Sequence, residues 1–129
     1  MKTYIGKIEK LEPNQIFVFG SNTEGRHGKG SALIAKQKFG AKYGQSIGRQ
    51  GQSYAICTKN LQAKFHPSIN KENIIDQIKS LYVYANNNSH LEFFIAYSGT
   101  GTNLNNYSPS EMAEMFSYYD IPDNISNCS

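Results

Sequence analysis

Phe17 to Ser31 reads FVFGSNTEGRHGKGS. The apolar run Ile16 to Phe19 stops at Gly20, as expected of a short strand buried on both faces. A flexible loop of small and polar residues follows, carrying Gly25, Gly28 and Gly30. Residues 31–39, SALIAKQKF, then read as a helix stopped by Gly40. A glycine-rich turn from strand to helix exposes backbone N–H groups, to which the helix dipole adds partial positive charge. That combination suits phosphate or diphosphate.

The same grammar recurs. SYAIC, 53–57, is a second strand, preceded by YGQSIGRQGQ, 43–52, a loop with a short extended piece. Between about 70 and 86, Ile74, Ile75, Ile78, Leu81, Tyr82 and Ala85 share one helical face. LEFFIAY, 91–97, is a third strand, ending in a second loop of Ser98, Gly99, Thr100, Gly101, Thr102 and Asn103. Ser108-Pro109-Ser110-Glu111 signals a capped helix with Met112, Met115, Phe116 and Tyr119 as its stripe. KTYIGKI at the start can add a strand, whereas residues 119–129 read as an irregular tail.

Strand–helix alternation predicts an α/β fold with right-handed crossovers and a largely parallel sheet. Ligands of such sheets sit beyond the carboxyl ends of the strands, so both loops belong on one edge. With 129 residues, no linker and no fixed-period repeat, the chain forms a single domain, 1–129.

A hydrophobic content of 39% excludes a disordered chain. The net charge of +3 slightly favours an anionic ligand but supplies no basic stripe for nucleic acid. Two cysteines, Cys57 and Cys128, form no disulfide framework and no metal-ligand spacing. No signal peptide or membrane span is evident, which makes a reducing cytoplasm the expected compartment. No cofactor is expected.

Candidate ligand contacts on the first loop are Gly20, Ser21, Asn22, Gly25, Arg26, Gly28, Lys29 and Gly30. The Asn22 amide can donate and accept, and His27 is the natural group for acid–base work. The second loop adds the hydroxyls and N–H groups of Ser98 to Asn103. Plainer readings stand beside these: His27 as a surface or packing histidine, Glu24 as a solvated carboxylate. Arg26, Lys29 and Arg49 also read as solvated charges, and Tyr43, Tyr54 and Tyr97 as core or rim packing. The loop is not a Walker loop, because Gly28-Lys29-Gly30 lacks the required spacing, and it misses the strict dinucleotide fingerprint.

GKIEKLEPNQIFVFGSN, GRHGKGSALIAKQKFGA and IAYSGTGTNLNNYSPSEMAEMF resemble three segments of macro domains. A closer similarity is to a small phage-associated macro-like family, at Phe19 to Asn22, Arg26 to Ala32 and Tyr43 to Lys59. The resemblance covers most of residues 6–118. It implies a three-layer α/β/α fold with a mostly parallel, mixed sheet, and a cleft for ADP-ribose or a related nucleotide. It further implies that Asn22 meets the distal ribose, and that the Gly28–Gly30 backbone and the Ser98–Thr102 segment hold the diphosphate. Two departures stand out: Lys7 falls where macro domains carry the acidic residue that reads adenine, and Phe19 falls at their first asparagine.

The expected function is therefore nucleotide binding, with Asn22 and His27 able to position water for hydrolysis of an ADP-ribosyl linkage. The alternatives are a non-catalytic sponge or sensor for a nucleotide signal and, at VFGSN alone, a phosphoribohydrolase of the Lonely-guy type, whose PGGxGTxxE motif is missing.

Overall fold

The computed structural model describes residues 2–4, 10–28, 30–95 and 107–128. In chain order the elements are β1 (Lys2–Tyr4), β2 (Gln15–Asn22), α1 (Gly30–Lys38), β3 (Gly48–Gln50) and β4 (Ser53–Lys59). They continue with α2 (Lys71–Asn86), β5 (Glu92–Ile95), α3 (Pro109–Phe116) and β6 (Ile125–Cys128). The sheet has six strands in the order β1-β6-β5-β2-β4-β3. Every pairing is parallel except β3 with β4.

β2 is central, pairing with β4 from Phe17 opposite Ser53 and with β5 from Gln15 opposite Glu92. Period-2 alternation sends its side chains to opposite faces. Phe17 and Phe19, with Ala55 of β4, pack against Ala32 and Ala35 of α1 and against Phe39 and Ala41. Ile16 and Val18, with Tyr54, Ile56, Phe93 and Ile95, meet α2 through Ile74, Ile78, Leu81, Tyr82 and Ala85. Met112, Met115 and Phe116 of α3 complete that second core. Helices thus cover both faces, giving the three-layer α/β/α fold with a mostly parallel, mixed sheet.

Local signals account for the helices. α1 stops before Gly40, whose φ of 79° is the left-handed conformation of a helix terminator. Asn70 caps α2 by accepting from the Asn73 N–H at 2.9 Å. α3 carries the full capping box: Ser108 Oγ accepts from Glu111 N at 3.1 Å, and Glu111 Oε1 accepts from Ser108 N at 3.0 Å. The Ser108 backbone N–H, and after it the Ser108 hydroxyl, hold the Glu111 carboxyl below the usual carboxylate range.

The expectation of an irregular tail is corrected at residues 125–128, which form β6 between β1 and β5. Ile125 and Ser126 are buried. The strand is held by the Phe93 N–H donating to Asn124 O at 2.7 Å, and by Asn124 Nδ2 donating to Ala85 O and Leu91 O, both at 2.9 Å. These partners are distant in sequence, and ISNC has too few apolar residues to announce a strand. Residues 2–4 realise part of the expected N-terminal strand. No helix among the described residues is long and apolar enough to cross a membrane.

β3 is short and pairs with β4 only as far as Ala55, which leaves an open edge beyond it. Gln77 of α2 fills the gap: its Oε1 accepts from Cys57 N at 2.7 Å and its Nε2 donates to Cys57 O at 2.8 Å. A side-chain amide here replaces the missing neighbouring strand. Gln77→Ala orphans both backbone groups, and urea denaturation should show a loss of about 2 kcal/mol with an unchanged m-value.

Candidate functional site

The chain leaves the central strand through an irregularity. The register of β2 against β4 runs from Ser21↔Cys57 to Asn22↔Lys59, skipping one residue. Such a bulge re-aims the strand end and its side chains. Asn22 then organises a tight turn: its backbone carbonyl accepts from Gly25 N at 3.0 Å, and its Oδ1 accepts from Arg26 N at 3.1 Å. A backbone N–H can only donate, so the orientation of the Asn22 amide is fixed. Its Oδ1 holds one hydrogen bond inside the turn, and its NH2 has no partner among the described residues. The amide thus still offers its N–H donors and the second lone pair of Oδ1, as expected of it.

The segment 42–50 holds this loop. Gly44 N donates to Gly25 O at 2.8 Å, and the Ser21 hydroxyl donates to Ser46 O. Gly25 has φ of 61°, and a Cβ on it would lie 2.6 Å from both Gln45 N and Gly44 C. Only glycine allows that contact. Gly25 thus serves the close approach of two backbones.

His27 stands inside the protein with no exposed surface. Its ring meets Phe19 edge-on, with centroids 5.1 Å apart, and its Nε2 lies 3.2 Å from Gln50 Oε1. Nδ1 is buried with no hydrogen-bond partner among the described residues. An imidazole facing the cleft for acid–base work is thus not what this loop offers, because a proton carrier must reach its substrate. The packing reading is the one realised. Gln50, the partner, was not among the expected site residues, since a glutamine within a glycine-rich stretch carries no sequence signal.

The charged candidates separate. Arg26 pairs with Glu24 at 3.0 Å, and Glu24 also accepts from Gln62 Nε2 at 3.2 Å. Both partners are substantially exposed, so the pair adds little stability. Arg49 donates to Gly51 O and to the Tyr84 hydroxyl at 2.7 and 2.8 Å, beside the beginning of β4 and away from the loop. Tyr54 is core, and Tyr43 is exposed with Lys36 Nζ 5.4 Å above its ring. Cys57 is buried, and burial pushes its thiol up, which disfavours a nucleophilic thiolate. Among the described residues no group of His, Cys, Asp and Glu side chains can hold a metal ion.

Gly20, Gly28 and Gly30 are exposed. Gly20 faces the Thr58 hydroxyl, 3.3 Å from where its Cβ would be, whereas nothing lies within 4 Å of a Cβ built on Gly28. Space is open at Gly28, immediately after the buried imidazole. Lys7, Lys29, Tyr97 and the second loop, Ser98, Gly99, Thr100, Gly101, Thr102 and Asn103, lie outside the described residues. β5, which leads into that loop, runs parallel beside β2 with Ile95 opposite Val18.

No protein-family model matches the chain, and no curated protein matches it in sequence. The site is accordingly read from its own geometry. The two glycines on either side of His27 make opposite demands. Gly25→Ala forces both a left-handed alanine and a backbone overlap, so chemical denaturation should show a loss of about 2 kcal/mol or more. Gly28→Ala should stay within about 0.5 kcal/mol of the parent.

Proposed function

We propose that this chain binds ADP-ribose or a related nucleotide derivative at the carboxyl edge of its sheet, over the loop that leaves β2. The observation that carries the reading is a reversal of strand order. From β2 the chain crosses by α1 on one face to β4, then returns by α2 on the other face to β5, on the opposite side of β2. The carboxyl ends of β2 and β5 therefore flank a topological switch point, where open α/β sheets take their ligands. Gly28, exposed and with open space above it, belongs to the loop from that point.

The chemistry of the loop agrees with an anionic, oxygen-rich ligand. Asn22 offers its amide N–H donors, oriented by the bond that its Oδ1 accepts from Arg26 N. The resemblance to macro-like sequences at Phe19 to Asn22 and Arg26 to Ala32 supplies the choice of an ADP-ribose-type ligand. A non-catalytic sponge or sensor is the second reading, favoured over hydrolysis by one observation: the imidazole of the loop is buried and tied to Gln50. A hydrolase would draw its acid or base from elsewhere.

Isothermal calorimetry with ADP-ribose, its phosphates, NAD and cyclic derivatives tests the binding. At least one should bind. Gly28→Glu, which has room for its side chain, should keep the fold and weaken affinity by roughly a hundredfold or more, because its carboxylate meets the diphosphate. Undiminished affinity in that variant places the ligand elsewhere. Chromatography after denaturing a loaded sample separates the two classes: a binder returns intact ligand, and a hydrolase returns product.

A further inference from the structure

Gln50 is almost fully buried, and every backbone partner of its amide is a group of fixed polarity. Its Oε1 accepts from the Lys42 backbone N–H at 2.7 Å. Its Nε2 faces two carbonyl oxygens, Gln45 O at 3.0 Å and Gly48 O at 3.4 Å. A flipped amide would set N–H against N–H and oxygen against oxygen, so its orientation is unambiguous. The atom offered to His27 is therefore an acceptor, and His27 Nε2 at 3.2 Å must carry the proton. In the neutral ring Nδ1 is then a bare lone pair, which agrees with its having no partner.

We propose that His27 is a positioning residue for the ligand loop, a tautomer-locked clamp joining residues 25–28 to residues 42–50 through Gln50. Three observations combine. Among the described residues the ring has a single hydrogen bond, through Nε2. It also packs on Phe19, which ties the loop to the core behind β2. The backbone of His27 is left-handed, with φ of 49°, a conformation a histidine holds only when its surroundings over-determine it. That conformation directs the chain into Gly28. The imidazole thus sets the path of the loop backbone without touching a ligand.

Two substitutions dissect the clamp. His27→Phe keeps an aromatic ring against Phe19 and removes the donor. His27→Gln puts an amide N–H2 where the imidazole Nε2–H stood and rebuilds the bond to Gln50. Nitrogen-15 NMR of the unliganded protein should show the Nε2–H tautomer at His27; a proton resident on Nδ1 overturns the proposal.

Amide hydrogen exchange at Arg26, Lys42 and Gly44 should quicken about tenfold in His27→Phe, with Val18 and Ala55 in the sheet unchanged, and return to the parent rate in His27→Gln. Equal exchange in all three proteins overturns it, as does uniform quickening through the sheet. If His27→Phe does not fold, the tautomer and the His27→Gln rates still decide. The effect on affinity rests on the nucleotide-binding reading: ADP-ribose should bind about tenfold more weakly to His27→Phe and normally to His27→Gln. Absence of ADP-ribose binding in the parent protein would count against that reading alone, since tautomer and exchange are measured without ligand.

Discussion

The structure depends on the double burial of β2. Both edges of this strand are paired, and both faces are covered, by α1 on one side and by α2 and α3 on the other. A strand in that position has its backbone polar groups satisfied in place and cannot shift register without exposing Phe17 and Phe19 or Ile16 and Val18. Irregularity is therefore confined to its end. The register shifts between Ser21 and Asn22, where Thr58 of β4 is skipped, and there Asn22 emerges half-exposed and closes the turn. The site inherits its rigidity from the core behind it.

The two covering layers differ in a way that bears on this. The α1 face is built from alanines and phenylalanines, with Phe17 and Phe39 at 5.1 Å between ring centroids. Small helix residues let α1 sit close to the sheet, and the helix begins directly after the loop. The α2 and α3 face is bulkier and richer in branched and sulfur-containing side chains. It also carries hydrogen bonds from buried tyrosines, Tyr82 to Phe116 O and Tyr107 to Ile69 O. The α2 and α3 side supplies bulk stability, while the α1 side fixes the position of one loop.

What the sequence disclosed follows from which forces are local. β2, β4, β5 and the three helices were legible because apolar periodicity, the Gly40 stop and Ser108-Pro109 are written in neighbouring residues. β6 was not, because Ile125 and Ser126 gain their partners from β1 and β5, far away in sequence. β3 emerged only as a short extended piece. At the site, the composition of the loop correctly placed glycines and Asn22 at a strand end. It could not reveal that Asn22 Oδ1 accepts from Arg26 N, nor that a histidine between two glycines is fully buried. Both facts depend on residues 42–50 folding back over the loop, and glycine-rich sequence carries no record of such contacts.

That failure has a physical meaning for binding. Glycines in a loop are ordinarily read as freedom, which a ligand must remove at an entropic cost. Gly25 does the reverse here: lacking a Cβ, it lets the backbone of Gly44 and Gln45 approach, and the hydrogen bond from Gly44 N follows. Asn22, Gly25 and His27 are each held by a bond or contact already present in the free chain. These contacts order the turn from Asn22 to His27 before any ligand arrives. Any ligand received at Gly28 meets a surface that needs little reorganisation, so affinity there depends on the match between its oxygens and donors already in place.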